Sequence, residues 1–158
     1  MAEEKALKQA RKNYETLCRL LDSRQWHYSR HDEDLTITCG ARGDDLPMDL
    51  NIEVDADREL IMLLSPMPFD IPEDRRDAMA VAVSTANYRI ADGSFDYNYL
   101  KGRIVFRMTA SYRGSVIGEE LFEYLLFVSC STIDEYNDKF LLASKSNMAG
   151  KDIVAFFS

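Results

Sequence analysis

Leu46-Pro47-Met48-Asp49-Leu50-Asn51-Ile52-Glu53-Val54-Asp55 is the stretch on which the fold turns. Leu46, Met48, Leu50, Ile52 and Val54 alternate with Asp49, Asn51, Glu53 and Asp55. Successive side chains of a strand point to opposite faces, so this run predicts a strand with one dry face and one wet, acidic face. After a turn at Ala56-Asp57, Leu60 to Leu64 is apolar at every position, which predicts a strand covered on both sides. Upstream, Leu35, Ile37 and Cys39 alternate with Thr36, Thr38 and Gly40, and Trp26 and Tyr28 with His27 and Ser29. His31-Asp32-Glu33-Asp34 between them reads as a polar hairpin loop.

Helices frame these strands. Leu7, Ala10, Tyr14, Leu17 and Leu21 draw one apolar stripe on a helix from Glu3 to Asp22, long enough to pack on the sheet. Lys8, Arg11, Lys12 and Arg19 occupy its wet side, where the spacing predicts Glu4–Lys8 and Glu15–Arg19 pairs and a solvated face. Ser65-Pro66-Met67-Pro68-Phe69 is expected to be neither regular sheet nor helix, because its prolines lack the amide donor. Asp70 and Glu73 flank Pro72 as a capping box for a helix over Pro72–Ile90, ended by Gly93.

A hairpin follows. If Lys101-Gly102 closes it, Phe95, Tyr97 and Tyr99 face Met108, Phe106 and Ile104 on one side. Asp96 then faces Arg107, and Asn98 faces Val105, on the other side. A bulge of one residue is the alternative. A last helix is expected from Ser115 to Ser144, with one stripe through Ile117, Leu121, Tyr124, Leu125 and Val128 and a second through Phe122 and Leu126. A helix apolar on two sides must bury against two surfaces, one of which can belong to another subunit. Thr132 and Glu135 suggest a break near Ser131, and the tail over 146–158 is expected either to dock or to stay loose. The predicted order is α-β-β-β-β-α-β-β-α, an α+β fold with an antiparallel sheet and three helices, in a single domain over 1–158.

Composition narrows the function. The net charge of −8 opposes a phosphate backbone, so nucleic acid is not the expected partner. No apolar run is long enough for a bilayer, and charges through the first helix leave no signal-peptide core. Cys18, Cys39 and Cys130 are odd in number and widely spaced, which suits a reducing cytoplasm. His27 and His31, four apart, would stand roughly 13 Å from one another on one strand, too far to share a metal. Asp44, Asp45 and Asp49 lack the alternating ligand loop of a calcium site. Gly114 and Gly118 lack the Lys-Ser or Lys-Thr of a phosphate loop, and no nucleophile elbow or dinucleotide fingerprint occurs. No cofactor, metal or catalytic residue is called for.

Several segments together resemble the YbjN family of bacterial sensory transduction regulators. They are Asp44-Asp45-Leu46-Pro47-Met48, Ser65-Pro66-Met67-Pro68-Phe69, Ala80-Val81-Ala82-Val83 with Ala86-Asn87-Tyr88, Asp92-Gly93-Ser94-Phe95-Asp96-Tyr97, Gly102-Arg103-Ile104, and Phe106-Arg107-Met108-Thr109. The resemblance spans Gly43 to Lys139 and implies a fold like that of type III secretion chaperones, often homodimeric, with no catalytic residues. The reading is a cytoplasmic, non-catalytic protein-binding adaptor or regulator, homodimeric, with Asp96, Asn98, Arg103 and Arg107 as the candidate partner face. The alternative is a small-ligand sensor with a pocket near Ser65, Phe69, Asn87 and Tyr88; a hydrolase built on clustered carboxylates is a third reading.

Overall fold

The sheet has six strands in the order β1-β2-β3-β4-β6-β5, every neighbouring pair antiparallel. The strands are β1 (Tyr28–His31), β2 (Thr36–Arg42), β3 (Pro47–Asp55), β4 (Leu60–Pro66), β5 (Ser94–Asn98) and β6 (Arg103–Ser111). The helices are α1 (Glu4–Ser23), α2 (Arg76–Arg89) after a 3-10 turn at Glu73–Arg75, α3 (Glu119–Ser144) and α4 (Lys151–Phe156). The structure is a computed structural model and describes residues 3–158.

The alternation of β3 is realised as read: Met48, Leu50, Ile52 and Val54 are buried while Asp49 and Asn51 stand in solvent. Against the dry face α1 packs on β3, α2 on β5 and α3 on β6. β4 departs from expectation. Ile61 and Leu63 are buried, but Leu60, Met62 and Leu64 are only half-buried on the other face, shielded partway by their neighbours on β3 and β6. The strand is dry on one side only.

β4 also runs through Ser65 to Pro66, contrary to the expected irregular segment. The Met67 amide still donates to the Ile104 carbonyl at 2.9 Å, so the nitrogen of Pro66 points the opposite way. On that side the β3–β4 ladder has already ended at the Asn51–Leu64 pair, and no ladder bond is lost to the proline. The capping box at Asp70 does not form, because neither the 3-10 turn nor α2 has a side-chain cap. Asp70 instead meets Arg103 at 3.4 Å.

The β5–β6 register is shifted by two residues from the expected one: Phe95 pairs with Phe106, Tyr97 with Ile104 and Asn98 with Arg103. A two-residue turn of the favoured hairpin kind would put Lys101 at positive φ, whereas here only Gly102 adopts it, at +64°. The chain takes a loop of Tyr99 to Gly102 instead, and the Asn98 carboxamide oxygen accepts the Lys101 amide at 3.1 Å. A shift of two preserves which side chains are dry.

Phe95 centres the core beneath this hairpin. Its ring lies 5.3 Å from Phe106, 4.9 Å from Phe140 and 5.6 Å from Tyr136, all edge-to-face. α3 is continuous through Ser131, and the tail adds a fourth helix, α4, whose Ile153 is buried together with Phe157 just after it. The Phe157 ring sits 5.2 Å from that of Phe140.

Candidate functional site

Asp96 and Asn98 lie on β5, and Arg103 and Arg107 on β6. Arg107 holds Asp96 through Nε at 2.7 Å and Nη2 at 3.1 Å, a two-pronged pair lying diagonally across the shifted register. Both side chains are nearly half exposed, so the pair contributes at most about 1 kcal/mol. Its attraction to Asp96 raises the Arg107 pKa further above its ordinary value. Asn98 is committed to the hairpin loop and Arg103 to Asp70.

The second predicted group is not gathered in one place. A shallow cavity of about 300 Å³ is lined by Pro66, Pro68, Phe69, Asp70 and Arg103 among others, which joins Phe69 to Arg103. Ser65 is fully buried beneath the sheet, with its hydroxyl unpartnered. Asn87 bonds the main chain of β5: its Nδ2 donates to the Phe95 carbonyl at 2.9 Å and its Oδ1 accepts the Phe95 amide at 2.7 Å. Tyr88 is 93% exposed.

Other groups are structural in placement. Cys39 and Cys130 are half-buried, and burial pushes each thiol up to about 11. His27 and His31 are exposed, the latter 3.3 Å from the Thr38 hydroxyl. Among the described residues no group of His, Cys, Asp or Glu side chains is arranged to hold a metal ion. Nor, among them, is any helix long and apolar enough to cross a membrane.

On α3 Leu121 and Tyr124 of the predicted first stripe are exposed, Leu125 and Val128 are half-buried, and Phe127, on neither predicted stripe, joins the outer surface. Phe122, Leu126 and Ile133 face the core, whereas Leu121, Tyr124 and Phe127 face out, with Phe127 71% exposed. Beside Phe127 a groove of about 240 Å³ runs between α1 and α3, over Leu20, Trp26, Leu126 and Cys130. Arg24 and Glu123 form an ion pair across it. The single stripe read on α1 did not reveal this groove. Leu20 and Cys18, off that stripe, are also buried, because α1 is sandwiched between the sheet and α3.

Solved structures share this fold. A chain of the ExsC–ExsE complex superposes with a TM-score of 0.56 at 14% identity, over 79% of this chain and 90% of that one. A chain of the HopA1–SchA chaperone–effector complex gives 0.53 at 13% identity, over 80% and 95%. YbjN from E. coli gives 0.58 at 14% identity, over 78% and 87%. The chain belongs to the YbjN family, described as "Putative bacterial sensory transduction regulator", whose model matches residues 13–142. Among curated proteins no sequence matches it.

Proposed function

We propose that this chain is a non-catalytic adaptor or regulator that works by binding another protein, as a homodimer, in the cytoplasm. The observation that carries the reading is the outer stripe of α3, where Leu121, Tyr124 and Phe127 hold apolar surface in water. Full burial of a side chain of this size contributes about 1.5–3 kcal/mol, of which the half-exposed Leu121 and Tyr124 have about half still to gain. Two of the folds it resembles were seen in complex with a protein partner, a chaperone with its effector in one case. The α3 stripe is the proposed dimer seam, and the hairpin face of Asp96, Asn98, Arg103 and Arg107 is the proposed contact for the partner.

Light scattering on the purified chain tests the dimer. The expected mass is that of two chains, and Phe127→Asp is expected to reduce it to one without changing the circular dichroism spectrum. A wild-type monomer at all concentrations removes the homodimer from the reading. Partner capture that survives Arg107→Glu in a folded protein removes the hairpin face.

A further inference from the structure

The outward face of α1 gathers five exposed cations on one helix. Beyond α1, Arg24, Arg30, Arg58, Arg103, Arg107 and Arg113 each meet a carboxylate, while Arg75 and Arg76 bond backbone carbonyls. On α1, Lys5, Lys8, Arg11, Lys12 and Arg19 are all exposed, and among the described residues none of them is in an ion pair. The pairs expected from helical spacing are absent. Glu15, the predicted partner of Arg19, is taken by Arg30 from β1 at 2.7 Å, and Arg19 turns to the Thr16 hydroxyl at 3.0 Å. Glu59, which borders the same surface, is likewise matched to Arg113 at 3.4 Å. Glu3 and Glu4 sit at the start of the helix, where its dipole favours them.

These cations flank an apolar floor. A groove of about 760 Å³ lies along α1 beside Val116, with Leu7 and the cations Lys8, Arg11, Lys12 and Arg19 on its walls next to Glu4 and Glu15. A second hollow of about 490 Å³ shares Lys8, Lys12 and Val116 and adds Lys5. Leu7, the first residue of the predicted core stripe, is 40% exposed, and Val116 is 49% exposed. The loop carrying Val116 is fixed to α1 at two points. The Gln9 side-chain Nε2 donates to the Ser115 carbonyl, and the Ile117 backbone amide donates to Asn13 Oδ1 at 2.7 Å. The groove is therefore preformed, which lowers the entropic cost of filling it.

We propose that this face of α1 docks an acidic, amphipathic segment of the partner protein, its apolar side on Leu7 and Val116 and its carboxylates on Lys8, Arg11 and Lys12. This rests on the adaptor reading and gives the partner a chemistry. Uncompensated cations bordered by apolar surface suit carboxylates on an apolar stripe. A polyanion such as nucleic acid would bring the same negative charge against a molecule of net −8, with no use for the apolar floor.

The probe is a fluorescent amphipathic peptide of about 18 residues, roughly five helical turns, with glutamates on one face and leucines on the other. Its lysine-for-glutamate counterpart and a DNA duplex serve as comparators. The acidic peptide is expected to bind in the micromolar range, roughly tenfold more weakly at about 300 mM than at about 50 mM salt. Lys8→Gln/Arg11→Gln/Lys12→Gln is expected to weaken it at least about tenfold, the loss of a few screened ion pairs. Lys101→Gln/Lys145→Gln/Lys151→Gln makes the same change in net charge at exposed sites off α1, and is expected to leave binding unchanged.

Equal weakening by both triple variants would reduce the effect to the overall field and overturn the site. So would failure of the wild type to bind, or tighter binding to the lysine peptide or to DNA. The adaptor reading fails separately: a native partner held equally by wild type and α1 variant keeps the adaptor and discards this surface.

Discussion

Asn87 turns a helix side chain into a substitute strand. Its carboxamide matches one donor and one acceptor to the outward amide and carbonyl of Phe95, so the edge strand β5 is blocked at that point. Asn87→Ala leaves both backbone groups without protein partners and is expected to lower stability by about 1–3 kcal/mol in urea titration. Asn87→Asp keeps the acceptor but opposes an oxygen to the Phe95 carbonyl, so it should rescue little. An unchanged midpoint in Asn87→Ala would mean that water replaces the amide freely. The residue type was legible as polar and backbone-seeking, yet its partner lies on another element and helix spacing does not point to it.

Asp32 is the acid-sensitive counterpart. It accepts a hydrogen bond from the Tyr14 hydroxyl at 2.8 Å and from Arg30 Nε at 3.0 Å, tying α1 to the first hairpin. These bonds, Tyr14 first, hold its carboxyl below the ordinary carboxylate range. A lowered folded-state pKa stabilises above the unfolded value and is lost as pH falls through the folded one. Thermal stability should therefore fall below about pH 4, and Asp32→Asn should flatten that part of the profile. Parallel melting curves for the two proteins between pH 2 and 6 (roughly the range of carboxylate titration) would discard the linkage.

Elements were legible where a repeating pattern spanned them and illegible where one tertiary contact decided. The alternation of β3 and the two-sided pattern of α3 carry their own period, so strand, helix and dry faces follow. The break expected at Ser131 rested on Thr132 and Glu135 alone. With no glycine or proline between Ser131 and Ser144, nothing forces the chain out of helical geometry. α4 lies at the opposite limit: with six residues it cannot hold a helix by itself and exists because Ile153 and Phe157 enter the core. That difference predicts two unequal core deletions. Phe95→Ala, in the middle of the aromatic cluster, should cost about 3–5 kcal/mol. Phe157→Ala should cost less, because α4 can detach locally and spare the rest. Hydrogen exchange should show the loss confined to α4; equal costs in urea would mean that the tail unfolds only with the whole core.

At the scale of the molecule the charge balance sets the response to salt. Seven ion pairs are formed among the described residues, nearly all between partly exposed side chains, and such pairs contribute about 0–1 kcal/mol each. Against them stands a net charge of −8, whose self-repulsion is relieved by the same ions that weaken the pairs. Adding salt to about 0.5 M shortens the screening length below the spacing of most surface charges but not below that of a pair in contact. Repulsion should lose more than attraction, and the melting temperature should rise by about 2–4 °C, equivalent to about 1 kcal/mol for a chain of this length. The lysine and arginine substitutions on α1 make the net charge more negative and should steepen that rise. A melting temperature that falls with added sodium chloride would instead show that the surface pairs dominate, and that the unmatched cations of α1 already offset the acidic excess in the free protein.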